Sequence, residues 1–433
     1  MTATKSSLEG DTSYENVVAK WLPINLTYLL ECEESDFHIT KITKNIPDNK
    51  GNFLVPKEFS IVDNPKETYN FIRCVVGALI TQKYEIVNID YSVCTRLDLG
   101  AQVFFDIILK DIIKFFNRCR QYKKTIPKVK EINGVNVFDR NVQKLLFSVG
   151  SPVIHSNKSV KFSDIIPYKL CIHDREVNGN PVKIREQKDL DTTNLVDYVI
   201  DCLKTLNRTL TPDKLDDLST VIGEILINAE EHSTTKHRFS IGYFHEINEN
   251  GKHYGIFRLA ILNFGKTIYG KFKDPDCPNK EVVQKMKSLS EQYTKKKFFV
   301  FKGFEEETLW TLYALQDGVT SVAPSRYKKR GNGSIQFIES FFNIKGNKKD
   351  DDDFSTLAIL SGNTSIIFDG SYNITNGLVD GESYKFMTFN KSGNIEDKPD
   401  SKFVKFVDHH FPGTIISARI MFNEDDLTTE VWN

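Results

Sequence analysis

The chain has 433 residues, of which 40% are hydrophobic and 27% charged, the composition of an ordinary globular protein with room for two domains or more. Its 57 Lys and Arg face 58 Asp and Glu, so no net field argues for a general nucleic-acid or membrane binder. The first residues, MTATKSSLEGDTSYENVV, hold no apolar leader, and the longest apolar runs, such as CVVGALI, are too short to span a bilayer. Seven cysteines, none in a C-x-x-C pair, read as reduced thiols and point to the cytoplasm.

Residues 1–20 are polar and expected to fray. From about 27 to 62 the pattern is strand-like, in FHITKITKN and NFLVPKEFSIV. NPKETYNFIRCVVGALITQ opens on Asn-Pro and carries Phe71, Ile72, Val75, Val76, Leu79 and Ile80 at helical spacing. A strand, YEIVNIDYS, precedes a long amphipathic helix, LGAQVFFDIILKDIIKFFNRC. A weak strand in KVKEINGVN and a helix in VFDRNVQKLLFSVG complete an α/β domain over 1–155. Residues 156–164 read as a linker, and 165–433 as a second domain.

That second domain begins with the helical TTNLVDYVIDCLKTLNRTL and a turn at TPDK. Then comes IGEILINAEEHS, residues 222–233, a helix with an unusual edge. Val221, Ile222, Ile225, Leu226 and Ala229 form its apolar stripe. Glu224, Asn228 and His232 follow at a spacing of four along the border of that stripe. A polar row there looks into a cleft. An Asn carbonyl oxygen suits Mg²⁺, which takes few protein ligands, and a carboxylate one turn earlier can orient and deprotonate a water. Two strands, RFSIGYFHEI and YGIFRLAILNF, form a hairpin around NENGKH. Residues 270–330 are Lys-rich and irregular around two helical pieces. GSIQFIESFFNI is a helix, the acidic run 350–353 a solvated loop, and STLAILSG, TSIIFDGSY and GTIISARIMF are strands, with a turn at Asp369-Gly370.

The segment GEILINAEEH resembles the first motif of the GHKL (histidine-kinase/gyrase-like) ATPase superfamily, in the style of the anti-sigma-factor kinases. The resemblance implies a sandwich of a mixed sheet with helices on one face. It makes Glu224 the catalytic general base and Asn228 the Mg²⁺ ligand, and sets His232 beside the phosphates of ATP. ILNFGKTI matches the family's base-reading turn, with Asn263 in place of Asp, Gly265 kept and Thr267 in place of the second Gly. RYKKRGNGSIQFIESFF resembles the glycine-rich phosphate turn; it offers Gly331 and Gly333 before a helix, with Lys328, Lys329 and Arg330 as added charge. FPGTIISARI resembles the closing strand, with Thr414 near the base, and 266–330 takes the place of a flexible lid. Asn263 and Thr267 depart from the pattern and leave the choice of base open.

The first domain, loosely over 45–155, resembles the STAS domains of anti-anti-sigma factors. Leu99 stands where that family's phosphorylatable Ser would follow Asp98, so phosphorylation there is ruled out by chemistry. The adjacent His409 and His410 point to opposite faces of a strand and read as structural rather than metal-binding. Together these features imply a cytoplasmic ATP- and Mg²⁺-binding regulatory ATPase with a protein partner, no nucleic acid and no membrane, and a homodimer left open. A Ser/Thr kinase of the anti-sigma type and a non-catalytic scaffold are the alternatives.

Overall fold

A computed structural model describes residues 22–44, 46–122, 127–154, 162–174, 181–249, 252–294, 304–322, 331–345, 355–379, 382–422 and 427–429. In the first half, α1 (Ile24–Glu31), α2 (Ile39–Ile42), β1 (Asn52–Leu54), β2 (Glu58–Phe59), α3 (Pro65–Ile80), β3 (Ile86–Asp90), β4 (Arg96–Leu97), α4 (Leu99–Gln121), β5 (Glu131–Val135) and α5 (Arg140–Val149) follow in order. Strands β1, β3 and β5 form a parallel sheet in the order β1-β3-β5. The helix boundaries follow local chemistry. Pro65 occupies the first turn of α3, and the Asp98 carboxylate accepts the Ala101 amide at the start of α4. Asp139 caps α5 in the same way, and Gly150 ends it in the left-handed conformation.

The strand-like reading of the segment before residue 45 is corrected here. INLTYLLE is a helix, because Leu26, Leu29 and Leu30 lie at helical spacing and are buried together. ITKI is a single helical turn after His38.

The second half comprises β6 (Ile165–Asp174), α6 (Pro181–Thr205), β7 (Arg208–Leu210), α7 (Pro212–His232), β8 (His237–Glu249), β9 (Lys252–Phe264), α8 (Ile268–Lys273), α9 (Lys280–Thr294), α10 (Glu306–Tyr313), α11 (Gly333–Ile344), β10 (Thr356–Phe368), β11 (Thr375–Val379), β12 (Glu382–Phe386), β13 (Val404–Met421) and β14 (Leu427–Thr429). Five of these strands form one sheet in the order β10-β13-β9-β8-β6. All four strand pairs are antiparallel, where a mixed sheet was expected. The two strand candidates at 355–362 and 364–372 are one continuous strand, β10, with register shifts at Ser361, Gly362 and Thr364. The molecule is thus mixed α/β.

Side-chain alternation along β9 shows how the sheet is used. Phe257, Leu259 and Ile261 join a core with Val221, Ile222, Ile225 and Leu226 of α7 and with Ile335, Ile338 and Phe341 of α11. Ala260, Leu262 and Phe264 join the core of the first half. Helices on one face alone were expected, but both faces are covered. On the back, the Phe104 ring lies 6.0 Å from Phe264 and 5.0 Å from Phe411. Burying each such ring contributes about 1.5–3 kcal/mol. A Cβ on Gly100 would lie 2.8 Å from Ser417 Oγ, so the start of α4 sits directly against β13. His409 belongs to the same seam, with Nδ1 2.6 Å from Asp36 and its ring stacked on Tyr69, while His410 Nδ1 bonds Asn363 at 2.9 Å.

Candidate functional site

Helix α7 starts with Pro212 in its first turn and drives Leu218, Val221, Ile222, Ile225, Leu226 and Ala229 into the core. Glu224 and Asn228 are half-buried along the border of that stripe. His232 ends the helix; its side chain lies outside what the structure describes. Helix α11 runs antiparallel to α7. The Asn343 amide donates to Asp217 at 3.0 Å, and Lys214 donates to the Asn343 carbonyl. At the opposite end of the pair, a Cβ on Gly333 would lie 2.2 Å from Glu224 Oε2.

Gly333 opens α11, and its N-cap Asn332 makes no side-chain capping bond. The first amides of a helix have no intrahelical partner, and their positive field attracts anions. Gly331, at φ +99°, is held where a Cβ would meet the Gly318 and Val319 backbone at 2.7–2.8 Å. Because the helices are antiparallel, α7 continues past the start of α11. Asn228 lies one turn beyond Glu224, about 6 Å further along the axis. The structure therefore brings Glu224, Asn228, Gly331 and Gly333 to one place. Lys329 and Arg330 lie outside the described residues.

The second part of the site is a row across the sheet. His173 pairs with Arg238, Arg238 with Asn263, Asn263 with Thr414, and Thr414 with Ser361. By alternation, Arg238, Asn263 and Thr414 face α7. Thr414 Oγ1 and Ser361 Oγ lie 2.9 Å apart, and Ser361 also accepts the Ile268 amide. Arg238, 2% exposed, pairs with Asp191 of α6, while its Nη1 has no hydrogen-bond partner among the described residues. Asn263 is 0% exposed, and neither its Oδ1 nor its Nδ2 has a partner among them. A buried amide in that state is rare, because each unmet group costs about 1–3 kcal/mol. His173 Nε2 stands 4.0 Å from Glu230 Oε2, and burial, then the charge of Arg238, lowers the pKa of the ring. A cavity of about 320 Å³ opens beside the row, lined by His173, Gln187, Asp191, Arg238 and Ser240 among others.

Arg238, His173, Asp191 and Ser361 were not singled out from the sequence. The only signal for Arg238, His173 and Ser361 is strand register, which the sequence of one strand does not carry, and Asp191 reaches Arg238 only through the packing of α6. The turn after Asn263 is clearer in space. The Gly265 amide donates to the Pro412 carbonyl at 3.2 Å, and Thr267 is the N-cap of α8, accepting the Gly270 amide at 2.9 Å. Its departure from glycine therefore has a local reason: the chain turns into a helix there. A Cβ on Gly413 would lie 2.1 Å from the Asn263 carbonyl oxygen, so only glycine fits beside Asn263.

The segment expected to act as a lid is better ordered than its irregular sequence suggests over its described part. Residues 266–294 and 304–322 hold three helices, not two, and Leu309, Trp310, Leu312 and Tyr313 of α10 are buried in the core behind the site. The apolar run TLWTLY explains this, since burying it offsets the ordering of the segment. In the first half, Leu99 is 5% exposed and follows the capping Asp98 directly.

Compared with known protein families, curated proteins and solved structures, the chain matches none. No helix among the described residues is long and apolar enough to cross a membrane. No group of three or more His, Cys, Asp or Glu converges among them. Octahedral Mg²⁺ shared with phosphates needs no such group.

Proposed function

We propose that the protein is a regulatory ATPase of the GHKL type, in which Mg²⁺-ATP binds between α7 and the sheet and controls contact with a protein partner. The observation that carries this reading is the approach of Glu224 to Gly333, with Asn228 one turn beyond, at the amino end of α11, whose N-cap Asn332 makes no side-chain capping bond. That end of the helix suits phosphate oxygens, and Asn228 suits the metal that accompanies them. Glu224 is placed to orient a water and take its proton. The Asn263 amide, without a hydrogen-bond partner among the described residues and with Thr414 and Arg238 on neighbouring strands, supports a ligand base at the other end of the site. Bound Mg²⁺ would supply charge neutralisation on the phosphates.

The switch would act through α8–α10, which pack beside the site, and through the first half, a STAS-like domain in this reading. Transfer to a Ser or Thr of a partner uses the same groups and is the alternative activity. A scaffold that holds no nucleotide would leave Asn263 without a role. Calorimetric titration with ATP, ADP and GTP, with and without Mg²⁺, tests the proposal. Mg²⁺-dependent binding of ATP supports it, and the absence of nucleotide binding in every condition overturns it. Labelled phosphate found on a partner would separate the kinase from the ATPase.

A further inference from the structure

We propose that the cavity between α6 and the β6–β8 edge of the sheet binds a small organic monocarboxylate, held by Arg238 and His173 at a site separate from the nucleotide. The cavity, of about 320 Å³, is bounded by Cys171 and His173 of β6, Arg238 and Ser240 of β8, and Gln187 and Asp191 of α6. Strand register builds it. His173 lies opposite Arg238 and Cys171 opposite Ser240, so all four side chains stand on one face of the sheet, the face on which Asp191 meets Arg238. A register shift between Tyr168 and Cys171 sets this end of β6 apart, and irregularities of that kind re-aim side chains beside ligand sites. Glu224, Asn228, Asn263 and Gly333 do not line the cavity, so the inference goes beyond the nucleotide reading and does not rest on it.

Two of the lining side chains are more than nine-tenths buried and incompletely bonded. Arg238 is 2% exposed and His173 7%, and neither Arg238 Nη1 nor His173 Nε2 has a hydrogen-bond partner among the described residues. The acids around them are committed elsewhere or out of reach. Asp191 accepts Gln187 Nε2 at 2.8 Å on Oδ1 and Arg238 Nη2 on Oδ2. Glu230 Oε2 of α7 stands 4.0 Å from His173 Nε2, beyond a hydrogen bond. Asp174, also in the cavity wall, has its Oδ2 3.3 Å from His237 Nε2. Leaving a buried guanidinium nitrogen unmet is costly. The cavity beside it is far larger than one bridging water needs. The chemistry of the ligand follows from these groups. A guanidinium only donates, and a neutral imidazole donates through one nitrogen, so the ligand must accept from both. Carboxylate oxygens match a guanidinium better than neutral acceptors do. Asp174 and Asp191 in the wall repel a dianion and favour a ligand with one negative charge. The remaining volume takes a short carbon body.

Full-length protein would be titrated calorimetrically with butyrate and benzoate in a buffer free of carboxylates, ionic strength being held constant with sodium chloride. Butyramide and benzamide serve as uncharged probes of the same shape, and inorganic phosphate as the dianion. At least one carboxylate should bind wild type with a dissociation constant of about 1 mM or lower, as a well-placed ligand of that size can. Its amide and phosphate should each bind at least about tenfold more weakly. Arg238→Lys keeps a cation for Asp191 but has no second nitrogen for the ligand, and should weaken carboxylate binding at least about tenfold. Ser240→Leu fills the cavity while leaving the Arg238–Asp191 pair intact, and should abolish binding; it carries the test if Arg238→Lys melts early. Asn228→Ala, altered at the phosphate end of the nucleotide site, should bind the carboxylate as wild type does. Binding of neither carboxylate, an amide or phosphate that binds as tightly, wild-type affinity in folded Ser240→Leu, or lost binding in Asn228→Ala overturns the proposal.

Discussion

Glu224 and Gly333, far apart in the chain, meet so closely that a single methyl group on Gly333 would collide with the Glu224 carboxylate, 2.2 Å from Oε2. The contact joins the middle of α7 to the amino end of α11, and it sets a carboxylate at the positive end of that helix.

Substitution at this contact should separate folding from function. In Gly333→Ala the Glu224 side chain can swing away, and alanine favours the helix, so stability should change by less than about 1 kcal/mol. Nucleotide affinity or turnover should still fall at least about tenfold, because the displaced carboxylate or methyl group fills the approach to the α11 amides. An unchanged affinity and rate, measured by calorimetry and phosphate release, would remove α11 from the site.

For Glu224→Ala, the expectation is Mg²⁺-ATP affinity at least equal to wild type, since a negative charge leaves the phosphate end. Hydrolysis or phosphotransfer should drop by about 10² to 10⁴. Equal rates in the two proteins would exclude Glu224 as the general base.

Asn228→Ala should reduce binding of Mg²⁺-ATP far more than binding of metal-free ATP, because the side chain removed is a metal ligand in this reading. A titration in EDTA beside one in Mg²⁺ decides the matter. Equal losses count against the assignment.

Asn263 offers a trade between stability and function. Its side chain is buried with both polar atoms unpaired among the described residues. Asn263→Leu should therefore stabilise the ligand-free protein by about 1–3 kcal/mol in urea unfolding. The same change should abolish nucleotide binding. A destabilised variant that still binds would show that the amide serves the fold.

A pH effect follows from the first half. Asp106 is buried, and burial pushes its carboxyl up to about 7, even though Gln102 and Ser151 donate to it at 2.8 and 2.7 Å. The folded state then holds a proton that the unfolded chain releases near pH 4. Stability contributed by this group is fully present below about pH 4, falls as pH rises towards 7, and stays lost above it. Asp106→Asn should therefore be more stable than wild type at pH 8, by about 1–3 kcal/mol, and no more stable at pH 4. Parallel pH profiles for the two proteins would refute this.

Local chemistry alone determined a good part of the molecule. The periodicity of α3, α4, α5, α7 and α11, the β8–β9 hairpin and the polar border of α7 can be read from the chain, because a helix or hairpin states its own period and caps within a short window. The same window fails at INLTYLLE, which is too short for its period to outweigh neighbouring strand-like residues, and it misses β6, whose burial alternation is interrupted by a register shift. Only tertiary structure decided that Glu224 reaches Gly333, that Arg238 stands beside Asn263, and that His173 and Asp191 line one cavity. Those relations depend on which strands pair, in which register, and on how α11 lies against α7. Such long-range choices are settled by the summed burial of two cores rather than by any local preference, so no single stretch of sequence contains them.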